Sequence, residues 1–380
     1  MRGKNIIAFS KEWESDWTSN HHVLTSLART NRVLWVNSIG MRSPDISSGR
    51  DWSTAARKVW RCLRGTRKVR DNLYVFTPIV WPFSRPAALR RMSMKSVLWQ
   101  LRRLKRRLRM TDTQLWTFLP TAGEFIGRLD EKIAVYYCTD NWRLFQYLRG
   151  AAIENEEERL LRKVSVVFCT SDALCHEKKK DNPHTFLISH GVDRRFLDSR
   201  DLPEPMDLRS IPRPVIGFFG WLRDTIDPEL LMAVSCSFPN ASIVLIGRVS
   251  GDFALLRRQP NIHFLGQKDY RELPSYGRFF SVGIIPYRMT PELMAATNPI
   301  KLKEYFALGL PVVTTPVGDI EAYRDVCWVA ETRDDFIRAV AEALGPEGRR
   351  RAEHARQRAA AETWDRKIQE ISAILDRMIP

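Results

Sequence analysis

Lys301 and Glu304 stand three residues apart in TNPIKLKEYFALGLPVV (297–313), a spacing that puts both on one side of a helix. A lysine in the first turn, beside the positive end of the helix, suits a phosphate, and a carboxylate one turn later can accept from two neighbouring hydroxyls. The pair would suit a phosphorylated sugar. It would equally suit a solvated ion pair on a surface helix, and the motif alone leaves both open. Other residues with chemical potential are Asp140, at the end of the strand-like IAVYYCTD, and His190, which before Gly191 also fits an ordinary turn. The six cysteines (Cys62, Cys138, Cys169, Cys175, Cys236, Cys327) show no CxxC spacing, and Cys138 and Cys169 fall inside apolar runs, as reduced thiols would. Cys175–His176 is the one Cys/His adjacency, with no second pair to complete a metal site.

A helix start at Asn298 as cap and Pro299 in the first turn, with Gly309 as a left-handed exit, would position Lys301 and Glu304. PVVTT then reads as a buried strand. Similar short apolar runs recur at NIIAF (5–9), RVLWVN (32–37), LYVFT (73–77), LWTF (115–118), IAVYYC (133–138), VSVVFCT (164–170) and TFLIS (185–189). After a proline-rich linker candidate at 203–214 the pattern restarts with VIGFFG, SIVLIG, NIHFLG, VGIIPY, PVVTT and CWVA. Continuous apolar strands alternating with helices imply parallel sheets covered on both faces, twice over. The expected fold class is α/β, two Rossmann-like doubly wound domains facing a cleft at their strand C-termini.

The 380 residues exceed one typical core, and a hydrophobic fraction of 44% with 27% charged residues is that of a folded soluble protein. The apolar run near the start is too short for a signal-peptide core, and none later reaches a bilayer-spanning length, so a cytoplasmic location is expected. Charge is uneven: residues 1–110 hold 24 Lys+Arg against 6 Asp+Glu, whereas the remainder is nearly balanced. The run 85–110 carries ten basic residues and no acid, with Met94, Val97, Leu98, Leu101, Leu104 and Leu108 at helical spacing. Arg102, Arg103, Lys105, Arg106 and Arg107 could contact the inner face of an anionic membrane, with Leu101, Leu104 and Leu108 inserting. Nucleic-acid binding and a helix packed on its own domain are the alternatives.

In order along the chain, IAVYYCTDNW, VVFCTSDAL, LISHGVDRRF, VIGFFGWLRD, ASIVLIGR, NIHFLGQKDYRELPSY and NPIKLKEYFALGLPVVTTPVG resemble the retaining GT-B glycosyltransferases of family 4. The likeness is to the bacterial branch that builds surface polysaccharides of the teichuronic acid type. It implies an N-terminal acceptor-side domain over 1–200, a nucleotide-sugar donor domain over 214–361, and a terminal helix over 362–380 crossing back to the first domain.

By that resemblance Glu304 is the second glutamate of the family's E-x7-E motif and binds the nucleotide ribose. Thr297, Asn298, Pro299 and Ile300 form the helix start that faces the pyrophosphate. The first glutamate is replaced by Ala296, with Glu292 as a conceivable substitute. Arg223 matches the family's diphosphate-stabilising arginine. The companion lysine is missing, which makes Lys301 the candidate replacement. Gln267 falls in the loop beside the nucleobase. Asn20, His21 and His22 fall near the acceptor loop, and Asp140 at the end of a strand facing the cleft. The implied function is transfer of a sugar, with retention, from a nucleotide diphosphate sugar to a cell-envelope or exopolysaccharide precursor, most simply a lipid-linked one. Arg223, Lys301, Asp140 and His22 would be catalytic. No Asp-x-Asp triplet occurs, so no metal and no cofactor is expected, and no nucleic-acid partner. A same-fold nucleotide-sugar epimerase and a non-enzymatic basic membrane- or nucleic-acid-binding protein remain the alternatives.

Overall fold

A computed structural model describes residues 1–38, 65–79, 87–142, 150–290 and 298–378. The chain divides into two compact units, residues 1–189 with 368–380, and residues 190–367.

In the first unit the described strands are β1 (Asn5–Phe9), β2 (Arg32–Val36), β3 (Thr66–Arg70), β4 (Leu73–Phe76), β5 (Thr113–Thr117), β6 (Ile133–Cys138), β7 (Val166–Cys169) and β8 (Thr185–Leu187). They form one sheet in the order β3-β4-β2-β1-β5-β6-β7-β8. Every pairing is parallel except β3 with β4. The strand β3, TRKVR, falls in what reads as a basic run. It is an edge strand, where charged side chains reach water and discourage pairing with another chain. The loop between β1 and helix α1 (Ser19–Leu27) opens where the strand order reverses, between β1 and β5.

Helix α2 (Ala87–Arg107) corrects one expectation. Val97, Leu98, Leu101 and Leu104 are buried in a core with Ile7, Phe9, Leu34, Val36 and Leu115, and Met94 and Leu108 pack at its margin. The apolar stripe is therefore consumed by its own unit and is not available to a membrane. Of the basic residues, Lys105 donates to the Leu129 carbonyl at 2.5 Å and lies 3.7 Å from Asp130, and Arg102 donates to the Arg128 carbonyl at 3.0 Å. Arg103, Arg106 and Arg107 are exposed. Among the described residues no helix is long and apolar enough to cross a membrane.

The second unit carries β9 (Val215–Phe219), β10 (Ser242–Ile246), β11 (Ile262–Gly266), β12 (Val282–Ile285), β13 (Val312–Thr314) and β14 (Trp328–Val329), all parallel, in the order β11-β10-β9-β12-β13-β14. Helix α3 (Pro228–Ser237) follows β9, capped by Asp227. The segment 203–214 is not a bare linker. Leu208 is fully buried in the core of this unit, and Asp207 accepts from Lys268 at 2.6 Å and Tyr276 at 2.9 Å.

Helix α4 (Ile300–Leu308) is capped by Pro299, one residue later than expected, and ends at Gly309 with φ 72°, the left-handed exit that the sequence calls for. Lys301 to Ala307 are all buried, so α4 is an internal helix and the solvated surface pair is excluded. The last helix, α5 (Trp364–Met378), belongs to the second unit up to Lys367 and to the first from Ile368.

If α2 is a core helix, Leu101→Ala should destabilise the first unit by about 2–5 kcal/mol, the usual result of truncating a fully buried leucine. Chemical denaturation measures it, and a near-neutral result would put the stripe outside the core.

Candidate functional site

In the second unit the chain order reverses between β9 and β12, and ligands of open parallel sheets bind outside the strand C-termini at such a point. Gly220 follows β9 with φ 141° and Gly247 follows β10 with φ 148°. A Cβ on Gly247 would lie 1.9 Å from the Gly220 carbonyl oxygen, so glycine is what lets the two loops touch. A Cβ on Gly220 would lie 2.7 Å from Lys301 Nζ, which places the ammonium directly on that loop. Lys301 is 9% exposed. Its Nζ donates to the Tyr287 hydroxyl at 2.9 Å and sits 4.3 Å from the Phe218 ring centre and 5.0 Å from that of Tyr287. Among the described residues it has no ion-pair partner. A buried ammonium held by rings and one hydroxyl is costly to desolvate, and an anion would complete its coordination.

One turn on, Glu304 is 3% exposed. Its Oε1 accepts from the Tyr270 hydroxyl at 2.6 Å, and Oε2 makes no hydrogen bond to a described residue. Burial pushes the carboxyl up to about 7, against the pull of the Tyr270 hydroxyl and the nearby Lys301 ammonium. The Tyr305 hydroxyl accepts from the Phe219 N–H at 3.0 Å and so pins α4 to the end of β9. A cation and a hydroxyl acceptor thus share one fixed helix.

Arg223 lies on the loop after β9, its guanidinium 5.1 Å from the ring centre of Trp221. Arg248, after β10, lies 5.2 Å from the same indole, which is 41% exposed and donates to Ser250 Oγ at 2.8 Å. Leu222 N–H donates to the Arg248 carbonyl at 2.8 Å, extending the β9–β10 pairing past the strands. Sequence reasoning missed Arg248, Trp221, Tyr287 and Tyr270. The available signal was a polar or aromatic residue just beyond the end of a parallel strand.

Asn298, Pro299 and Ile300 stand at the start of α4. The ring of His190, pushed down to about 3 by burial and by Lys303, hydrogen-bonds the Asn298 backbone, and the His190 carbonyl accepts from Lys303 Nζ at 2.7 Å. His190 therefore braces the helix start. Gln267 is exposed on the loop that also carries Tyr270. Thr297, Glu292 and Ala296 lie outside the described residues.

In the first unit the loop after β1 folds around aromatic rings. Trp13 meets Trp35 edge-on at 5.1 Å and Trp17 at 6.0 Å, and Trp17 stacks on His21 at 4.7 Å. Both His21 nitrogens are engaged, Nδ1 accepting from the Thr18 N–H at 3.3 Å and Nε2 bonding the Trp13 carbonyl at 3.0 Å, and burial pushes the ring down to about 3. His22 Nδ1 accepts from the Trp17 indole at 3.4 Å, and Asn20 donates to Ser10 Oγ at 3.0 Å. All three side chains hold the loop. Asp140 is exposed just beyond β6, its Oδ2 accepting from Thr139 Oγ1 at 2.7 Å. Burial draws the Lys11 ammonium down to about 8, opposed by Asp16 and Asp140. Among the described residues no three His, Cys, Asp or Glu side chains could together hold a metal ion.

Residues 213–345 match the family described as glycosyl transferases group 1. A relative named for teichuronic acid biosynthesis, the glycosyltransferase TuaH of Bacillus subtilis (strain 168), is 28% identical over 56% of this chain. The match spans 59% of that relative's length. Among solved structures, sucrose-phosphate synthase from Thermosynechococcus elongatus superposes with a TM-score of 0.72 at 14% identity, covering 99% of each chain. Anabaena HepE, solved in complex with UDP, gives 0.68 at 13% identity over 98% of this chain and 100% of that one. The fold is accordingly that of the GT-B glycosyltransferases.

A carboxyl raised from 4.5 to about 7 binds its proton more tightly in the native state than in the unfolded one. Native stability from this group is full below about pH 4.5 and is lost as pH rises through 7. Glu304→Gln should therefore be more stable than the wild type at pH 8, by on the order of 1–3 kcal/mol, with the gap closing toward pH 5. Denaturation midpoints across that range decide it. Identical pH dependence in both proteins would acquit Glu304.

Proposed function

We propose that this chain is a glycosyltransferase that moves a sugar from a nucleoside diphosphate sugar to a cell-envelope or exopolysaccharide precursor carried on a lipid, with retention of anomeric configuration. The observation that carries the proposal is the internal helix α4. It holds a buried ammonium without an ion-pair partner among the described residues, and one turn later a buried carboxylate with one oxygen open. Lys301 and the start of α4 at Asn298–Ile300 receive the diphosphate, and Glu304 Oε2 accepts from the ribose hydroxyls. Arg223 adds positive charge as the diphosphate departs. Catalysis is chiefly electrostatic: fixed cations and amides stabilise charge that develops on the leaving group, while the acceptor attacks from the same face. A donor phosphate oxygen takes the acceptor's proton. A divalent metal is not required in this scheme. The name of the Bacillus relative and the UDP bound to HepE agree with a nucleotide-sugar enzyme of polysaccharide synthesis. In the first unit, Asp140 and His22, with the indoles of Trp13 and Trp17, are the proposed acceptor-side residues, since aromatic faces suit sugar rings.

In a calorimetric titration Glu304→Ala should weaken nucleotide-sugar binding by roughly 1.5–3 kcal/mol, the scale of hydrogen bonds to a charged group. Lys301→Ala should depress turnover more than binding, and EDTA should leave wild-type turnover substantially intact. Unchanged affinity and rate in both variants would remove α4 from the site, and full loss in EDTA restored by Mg²⁺ would reject the metal-free scheme.

We further propose that the enzyme works at the inner face of the cell membrane through the outer side of α2. Trp99 and Met92 are 57% and 56% exposed on that helix, and Ile79 beside it is 57% exposed. Lys95, Arg102, Arg103, Arg106 and Arg107 surround them, and Arg103 lies over the Trp99 ring. Indole, thioether and cations on one helix suit an anionic interface, each basic residue contributing about 1 kcal/mol near the surface. Lys105, bound to the Leu129 carbonyl, drops out of this set. Binding to anionic vesicles should fall at high salt, in Trp99→Ala and on charge reversal of Arg103 and Arg106. Equal binding to neutral vesicles would contradict it.

A further inference from the structure

Tyr270 lies on the loop after β11, and the scheme above assigns it no part. Its ring is only partly exposed, and three contacts fix it. The Arg195 guanidinium sits 5.2 Å from the ring centre, and Phe196 packs on it at 5.6 Å. The hydroxyl donates to Glu304 Oε1 at 2.6 Å. Arg195 is itself held, since its Nε lies 3.1 Å from both oxygens of Asp193 and Nη2 lies 2.5 Å from Oδ2. Asp193 in turn caps the short helix Arg194–Leu197. The tyrosine hydroxyl is thus aimed at one carboxylate oxygen by a scaffold that spans two loops.

Among the described residues, the charged and titratable groups that act on Glu304 are Tyr270 from the β11 loop, Asp193 and Arg195 from the segment around Arg194–Leu197, and Lys301 and Tyr305 on α4 itself. Asp193 favours the neutral acid, whereas Lys301 and Arg195 favour the carboxylate. After burial, the Tyr270 hydrogen bond is the strongest influence, and it favours the carboxylate.

We propose that Tyr270 is a positioning residue of the donor site, whose hydroxyl occupies Glu304 Oε1, leaves Oε2 to the donor's hydroxyls and keeps the side chain in its hydrogen-bond-accepting form. This rests on the donor role given to Glu304 above. The consequence is a donor site that weakens as Glu304 takes up its proton, with the position of that transition set by Tyr270.

The test measures binding of uridine and guanosine 5′-diphosphate from pH 5.5 to 9 in the wild type, Tyr270→Phe and Glu304→Gln, with denaturation midpoints over the same range. The wild type should lose affinity below about pH 7. In Tyr270→Phe that midpoint should rise by about one pH unit, leaving affinity about fivefold weaker at pH 7 and about tenfold weaker toward pH 6. Glu304→Gln should show only the titration of the nucleotide's own phosphate. In the ligand-free protein the upper end of the pH window over which stability falls should move upward in Tyr270→Phe by the same amount, while its lower end stays near 4.5. A folded Tyr270→Phe whose midpoint stays put in both series would overturn the inference, because loss of packing alone lowers affinity or stability without moving a titration. If the wild type binds neither nucleotide, the donor role falls, and the stability series still decides whether Tyr270 governs Glu304.

Discussion

Lys301 keeps its ammonium against the backbone of Gly220, over the Phe218 ring and on the Tyr287 hydroxyl, and the second unit is arranged around holding it there. An ammonium so placed is costly, because rings and one hydroxyl recover only part of its hydration. The surrounding choices follow. Gly220 holds φ 141°, which L side chains rarely adopt, and a Cβ there would also press on Nζ, while a Cβ on Gly247 would meet the Gly220 carbonyl. Tyr305 reaches back from α4 to the end of β9 and fixes the helix that carries the lysine.

The same helix is braced at its other polar positions. Lys303 Nζ bonds the His190 carbonyl and pairs with the Glu362 carboxylate, while Val192 and Thr363 form a parallel bridge beside them. His190 holds the Asn298 backbone, so the first turn of α4 is tied to the segment through which the chain enters this unit. Each polar residue of α4 therefore has a separate duty: Lys303 anchors, and Lys301 and Glu304 face the strand ends. Preorganisation of this kind is what an electrostatic site needs, since dipoles that need not reorient act at full strength. It also carries a stability cost, visible in the raised carboxyl of Glu304.

Much of the fold was legible because strands buried on both faces read as continuous apolar runs, as in VIGFFG and SIVLIG, which became β9 and β10. The edge strand β3 was not, because TRKVR looks like a solvated basic tract until β4 lies beside it. The chemistry of Lys301 and Glu304 could be read from residue type and spacing, but their burial could not, since two polar residues on a nine-residue helix look the same inside or outside. Tyr287, Tyr270 and Arg248 stayed hidden for a topological reason. They follow three different strands, and only the sheet order β11-β10-β9-β12 gathers their loops at one edge. On α2 the periodicity was right and its use was wrong: the leucines fill the core, and the large apolar residues left facing water are Trp99 and Met92.

In the proposed donor site Lys301 and Glu304 divide a nucleoside diphosphate between them. A crystal structure of the protein with a bound nucleoside diphosphate tests it most directly. A phosphate oxygen should lie within about 3 Å of Lys301 Nζ and a ribose hydroxyl should donate to Glu304 Oε2, with Tyr270 still on Oε1. A nucleotide bound elsewhere, with the Lys301 ammonium still meeting only Tyr287 and the rings, would contradict it.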